Sequence, residues 1–271
     1  MKIKRLLPML SIISISLVGC GSSSEPLERE EEEDPVVVPY EGRLISSLNE
    51  EEYNLIPSFY IQRLKLFNTY KSVTKGNTVA KVWFIETVQS IDVTVIKGTQ
   101  YSYMKNESHS SMVNTSHEAY YKDEKALYAN NGEETYHLVT LNEYLDAYGV
   151  YPFSNSIEGF DISSKSILSI DRVESESDYK FKISFDPSAS ATNVRIQMKA
   201  FGGLDDYPGF TRIDMYLNLK DDFTPTSIEL DSEYGATKGI STSCYQQYTV
   251  TFSDFDKIIE IPNLDKVKSQ F

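Results

Sequence analysis

Five stretches in the second half of the chain put apolar side chains at every second position. Tyr179, Phe181, Ile183 and Phe185 alternate with Lys180, Lys182 and Ser184. Val194, Ile196, Met198 and Ala200 alternate with Arg195, Gln197 and Lys199. Ile213, Met215, Leu217 and Leu219 alternate with Asp214, Tyr216 and Asn218, and Ile228 and Leu230 flank Glu229. Cys244, Gln246, Tyr248, Val250 and Phe252 alternate with Tyr245, Gln247, Thr249 and Thr251. Successive side chains of a strand point to opposite faces, so this pattern predicts strands with one wet face and one apolar face. Such strands belong in an antiparallel sheet whose apolar side needs covering. Pro187, Gly202, Gly203, Pro208, Gly209, Pro225 and Gly239 punctuate the runs as turns.

The first half supplies the cover and more strands. Asn49 with Glu52 three residues on has the spacing of a capping box. Tyr53, Ile56, Tyr60, Leu64 and Phe67 follow at steps of three and four, which predicts an amphipathic helical stretch. Pro57 lacks an N–H and is expected in the first turn of a second helix there. Strands are expected over Thr78 to Thr87 (including Trp83 and Phe84), Ile91 to Ile96, Gln100 to Lys105, Ala119 to Lys122, Leu127 to Ala129 and Tyr136 to Val139. Thr140 and Glu143 form a second capping box, and Leu141, Tyr144, Leu145 and Tyr148 share a helical face that Gly149 ends. Val150 to Asp171 does not separate helix from strand. The order predicts an α+β fold: a curved antiparallel half-open β-barrel covered by a few helices.

Ahead of this domain, residues 42–271, lies a different kind of sequence. Gly21 to Ser24 is small and polar, and Glu25 to Asp34 is nearly all acid. A like-charge block repels itself and stays extended, so residues 20–41 read as a disordered tether, not a calcium site. Such a tether reaches at most roughly 70 Å. The formal charge of the whole chain is -14. That excludes nucleic acid as a partner, because binding phosphates takes clusters of Lys and Arg.

Lys2, Lys4 and Arg5 precede an apolar run from Leu6 to Val18, which ends in Leu17-Val18-Gly19-Cys20. The run is shorter than the roughly 20 residues that span a bilayer. Residues 1–20 resemble the bacterial lipoprotein signal. The resemblance implies that Cys20 receives a diacylglycerol and that residues 1–19 are removed. It also implies that the mature chain hangs by lipid on the extracytoplasmic face of a cell membrane. Removal of Lys2, Lys4 and Arg5 would take the charge from -14 to -17. With Cys20 blocked, Cys244 has no partner for a disulfide, so the domain must depend on its core.

Phe223-Thr224-Pro225-Thr226-Ser227-Ile228-Glu229-Leu230 runs from a turn into a strand. Thr249-Val250-Thr251-Phe252-Ser253-Asp254-Phe255 leads to Ile258-Ile259-Glu260-Ile261-Pro262. Together with the Tyr-bearing steps at 100–105 and 120–123, these stretches resemble the last strands of the lipoprotein carrier superfamily that includes the LolA-like and LppX/LprG-like proteins. The resemblance implies a half-open barrel around an apolar cleft that takes a lipid or other hydrophobic ligand. A non-enzymatic interaction module of the cell envelope is the alternative.

Nineteen tyrosines make the aromatic content notable, since Tyr suits both a cavity wall and a contact surface. Trp83, Phe84, Tyr101, Tyr103, Met104, Phe181, Phe185, Met198, Met215 and Tyr248 are the candidates for a ligand-binding concave face, against ordinary core packing. His109, His117 and His137 are expected at the surface, with Asn114 to Ser116 a turn between the first two. Cys244 is expected to be a buried structural thiol. The acid pairs at Asp205-Asp206, Asp221-Asp222 and Asp254/Asp256 are expected to serve turns. No nucleophile elbow, phosphate-binding glycine loop or His-Glu-Xaa-Xaa-His occurs. The sequence therefore predicts no catalytic residue, no metal and no cofactor, and a monomer. Cys20→Ala is expected to remove the chain from the detergent phase on phase partitioning or to leave it uncleaved; unchanged partitioning of a processed chain would count against the anchor.

Overall fold

The computed structural model describes residues 38–111, 114–148, 151, 159–175, 178–202, 204–237 and 239–271. Cys20 with its signal-like segment, the tether up to residue 37, Gly149, Phe153 and Ile157 lie outside the described residues.

Eleven strands form a single antiparallel sheet: β1 (Tyr70–Val82), β2 (Ile85–Lys97), β3 (Ser102–Ser110), β4 (Asn114–Lys122), β5 (Lys125–Asn130), β6 (His137–Thr140), β7 (Ile167–Val173), β8 (Tyr179–Phe185), β9 (Gly209–Leu219), β10 (Pro225–Thr237) and β11 (Ser241–Ser253). Their spatial order is β6-β5-β4-β3-β2-β1-β11-β10-β9-β8-β7. Two meanders thus meet where β1 pairs with β11, and β6 and β7 are the two free edges. The sheet curves without closing, as a half-open barrel.

Among the described residues the α-helices are α1 (Ile56–Leu66), α2 (Leu141–Tyr148), α3 (Pro187–Ser190), α4 (Thr192–Gly202) and α5 (Leu264–Val267). A 3-10 turn at Glu50–Leu55 opens on the Asn49/Glu52 capping box, and Pro57 stands in the first turn of α1. The second capping box is also formed: Thr140 N–H donates to Glu143 at 2.8 Å and Glu143 N–H donates back to Thr140 Oγ1 at 3.2 Å.

One expected strand is a helix. Val194 to Ala200 lies within α4, where Val194 and Met198, four residues apart, are buried on one face. A period of two and a period of 3.6 coincide at that spacing, so alternation alone could not separate them. The deciding signal stands upstream, where Asp186 accepts a hydrogen bond from Ser188 N–H at 2.8 Å and Pro187 begins α3. A second expected strand is broken: Trp83 and Phe84 form the two-residue turn between β1 and β2. The expected turn at Asn114 to Ser116 is the start of β4.

The main core fills the concave side. Ile56, Phe59 and Tyr60 of α1 and Val194 and Met198 of α4 pack with Val93, Phe181, Ile183, Met215, Leu217, Ile228, Leu230, Tyr248 and Val250. Phe59 and Phe223 meet edge-on at 5.3 Å, and burying each ring is worth about 2–3 kcal/mol. A second core lies on the convex side, where Ile96, Tyr103, Tyr120 and Leu127 are covered by Val267, Ile261, Leu264 and Phe271 of the C-terminal segment.

Gly76 in the middle of β1 allows one close approach. A Cβ there would overlap the Gln247 carbonyl oxygen and the ring of Tyr248, its partner across β11. Gly76→Ala is expected to cost about 3 kcal/mol by pushing β1 off the β11 backbone at Gln247 and displacing the Tyr248 ring, measured as a lowered urea midpoint at unchanged slope.

Candidate functional site

The sheet and α4 together bring six of the ten candidate residues into one cluster. Met104, Phe181, Phe185, Met198, Met215 and Tyr248 are all buried in the concave core. The other four lie elsewhere. Tyr103 points to the convex side, and Tyr101 lines an open cleft of about 420 Å³ with Gly98, Thr99, Ile258 and Ile261. Trp83 and Phe84, at the hairpin turn, are 70% and 88% exposed. They were expected on a strand because the apolar run Val82 to Ile85 has the composition of one. The turn between them carries no glycine, asparagine or proline to signal it.

The concave face is not uniformly apolar. On β8, β9 and β10 the inward positions are Phe181, Ile183, Phe185, Ile213, Met215, Leu217, Ile228 and Leu230. On β1, β2, β3 and β11 they include Ser72, Thr74, Thr78, Gln89, Asn106, Ser108, Thr242 and Gln246, all buried. The register aligns these into a row across the sheet: Ser232 opposite Gln246, Gln246 opposite Thr78, and Thr78 opposite Gln89. Ser232 Oγ donates to Gln246 Oε1 at 3.1 Å, and Thr78 Oγ1 and Tyr248 OH share a hydrogen bond at 3.1 Å. Gln89 Nε2 donates to Ser108 Oγ. Buried polar side chains are ordinarily paired. Ser72 Oγ, Thr242 Oγ1 and Arg195 Nε of α4 are buried with no hydrogen-bond partner among the described residues. The concave side therefore carries an apolar half and a more polar half, in which Val93, Met104, Tyr248 and Val250 are also buried, and its polar groups have hydrogen-bonding capacity to spare.

Sequence reasoning missed the polar half because Ser and Thr at alternate positions read as a wet face. Gln246 was the one visible hint, since it falls in phase with Cys244 and Tyr248. Cys244 is buried, and burial pushes its thiol up to about 11, with Tyr234 as its hydrogen-bond partner. It has the character of an inert thiol. Among the described residues no group of three or more His, Cys, Asp or Glu is placed to hold a metal, and no helix is long and apolar enough to cross a membrane.

The acid pairs serve backbone groups at turns. Asp222 accepts from Thr224 N–H at 3.1 Å and from Arg63 at 2.7 Å, and Asp256 accepts from Asn68 N–H at 2.8 Å. On the convex side, Glu118 accepts from Tyr103 and Tyr136 at 2.9 and 2.7 Å. Burial, then the bond to Glu118, pushes the Tyr136 hydroxyl up to about 12.

His109 and His137 are exposed, but His117 is buried, which corrects the surface expectation. It faces inward on β4, opposite Asn106, and meets α2. Its Nδ1 lies 2.7 Å from Asn130 Oδ1, an acceptor, and its Nε2 lies 2.7 Å from Tyr144 OH. A neutral ring donating from Nδ1 and accepting from Tyr144 satisfies both contacts. Tyr128 and Tyr148 stand against the ring, at 5.7 and 4.6 Å between centroids.

No family model and no curated protein sequence matches the chain. Solved structures do overlay on it. A LolA superfamily protein from Nitrosomonas europaea is 10% identical over 74% of this chain and 90% of its own, with a TM-score of 0.27. A putative outer membrane lipoprotein-sorting protein domain from Vibrio parahaemolyticus is 9% identical over 80% and 98%, with a TM-score of 0.29. A DUF1329 family protein from Desulfovibrio piger is 9% identical over 79% and 95%, also with a TM-score of 0.29. Overlays this distant carry no conclusion about function.

Burial lowers the His117 pKa from its ordinary 6.5, with the Asn130 bond and Glu118 partly offsetting it. The folded chain thus holds this proton less tightly than the unfolded chain, so stability is full above pH 6.5 and falls as pH drops below it. The melting temperature is expected to decline on acidification from 6.5, and His117→Gln is expected to flatten the first part of that decline. Parallel curves for the two proteins would show that His117 does not carry it.

Proposed function

We propose that this chain is a membrane-anchored extracytoplasmic lipoprotein that binds a lipid or another hydrophobic ligand against the concave face of its half-open sheet, without catalysis. The observation that carries the reading is the division of that face. Apolar side chains on β8, β9 and β10, buried under α1 and α4, would receive an acyl chain where those helices lift from the sheet, while the row from Ser232 to Gln89 suits its polar end. Ser72 and Thr242 hold hydroxyls that lack partners among the described residues, and burying such groups unpaired is costly. The Leu17-Val18-Gly19-Cys20 stretch supplies the anchor, residues 20–41 the tether and residues 42–271 the binding domain.

An interaction module of the envelope is the second reading. It is favoured by the close packing of Ile56, Phe59 and Met198 on the concave side.

The two readings separate on solvent extraction of protein purified from the membrane fraction, followed by mass spectrometry, with a dansyl-labelled fatty acid as binding probe. The first reading expects about one non-covalent acyl species per chain and saturable probe binding. Gln246→Leu is expected to weaken the probe by roughly tenfold through loss of one hydrogen bond to a charged head. Absence of both acyl species and probe binding would overturn the ligand-binding reading and leave the interaction module.

A further inference from the structure

The β1–β2 hairpin ends in Trp83-Phe84, and nothing in the concave-face reading uses it. Val82 pairs with Ile85, so these two aromatics are the entire turn. A two-residue hairpin turn ordinarily takes Asn-Gly or a similar pair, because it needs backbone with positive φ. Here Trp83 has φ 52, a left-handed conformation that a bulky side chain enters only at a steric penalty. Its ring gains no compensating burial within the chain. Strain held where no packing rewards it points to a role outside the fold.

The surroundings narrow that role. Lys81 and Glu86 flank the turn and pair at 3.7 Å, so the tip itself is close to neutral. Val88 and Tyr245, both exposed, lie either side of Val79 farther down the outer face. A narrow, convex, neutral aromatic tip offers little area to a protein partner. It matches the interfacial zone of a bilayer, where Trp and neighbouring apolar rings are favoured. A chain with a net charge of -14 is repelled by anionic lipid, so the contact suits zwitterionic lipid.

The reach is sufficient. Tyr40 is tied to the β9–β10 turn through Asp222, at the end of the sheet where β1 begins. The tip lies one length of β1 away, about 43 Å at about 3.3 Å per residue. Residues 20–38 can extend about 60 Å. A chain held at Cys20 can therefore lay its sheet along its tether and set the tip on the same bilayer. This last step rests on the anchor reading, whereas the tip's affinity for lipid does not.

We infer that Trp83-Phe84 is a second membrane-contact site, inserting into the interfacial region of a zwitterionic bilayer.

Trp83 is the only tryptophan in the chain, so its emission reports the tip alone. The full chain is mixed with phosphatidylcholine vesicles containing nitroxide-labelled lipid, and flotation and Trp emission are read together. Blue-shifted emission, quenching by the labelled lipid and loss of iodide access are expected. Phe84→Ser should reduce the inserted population about tenfold, while Leu168→Ser, at an exposed site on β7, should leave it unchanged. A chain that floats with vesicles while Trp83 keeps its free emission and iodide access overturns the tip site and leaves the anchor intact. A chain that does not float overturns the anchor, and quenching with excess vesicles still decides the tip. Shielding of Trp83 that follows chain concentration or added protein, and not lipid, also overturns it.

Discussion

The β1–β11 pairing is the contact on which the rest of the molecule depends. It joins the first strand of the sheet to the last, from Lys71 opposite Ser253 to Lys81 opposite Ser243. Within each meander neighbouring strands follow one another in sequence, by short turns except where α3 and α4 join β8 to β9, but neither meander has a complete inner face alone. Only when β1 meets β11 do α1, the strands β8 to β10 and Tyr248 share one core. Bringing together strands so far apart in sequence has a loop-closure cost that local contacts do not offset. The pairing must therefore be supported by burial, and Gly76 contributes by letting the Tyr248 ring cross β1 and reach Thr78.

The two meanders differ in how they meet solvent. In β8 to β11 one face is buried, and hydrophobic alternation survives. In β2 to β5 the C-terminal segment covers the convex face as well. Val95 and Ile96, Tyr103 and Met104, Ala119 and Tyr120, and Ala126 and Leu127 are therefore buried as consecutive pairs. Doubly covered strands lose period-two patterning. Tyr103 was misplaced for this reason: its side chain is apolar and buried, but under the C-terminal segment.

The proposed function follows the same division. An entirely apolar concave face would need nothing beyond its helices. The row of Ser, Thr and Gln on β1, β2, β10 and β11 makes this face unlike on its two sides, which in the proposed function separates hydrocarbon from hydrogen-bonding groups. His117 closes the polar end against α2, held between Asn130 and Tyr144. At the outer tip of β1, Trp83 and Phe84 present aromatic surface away from that interior.

Local chemistry was legible in the residues. Both capping boxes depend on side chains three positions apart, so Asn49 with Glu52 and Thr140 with Glu143 announce their helices without reference to anything distant. Strands β8, β9 and β11 declared themselves because one solvent-facing side preserves their alternation. The N-terminal signal-like pattern was likewise complete in sequence. What required the tertiary structure was every assignment of a residue to a side. Val194 and Met198 satisfy helix and strand spacing equally, and the packing of α4 on the sheet decides between them. His117 is buried because α2 returns over β4, and the polar row exists because cross-strand register aligns Ser232, Gln246, Thr78 and Gln89. Sequence determines what each segment can become, since torsional preference and periodicity act over a few residues. Which surface that segment meets is set by contacts between residues far apart in the chain, and only the folded sheet supplies those.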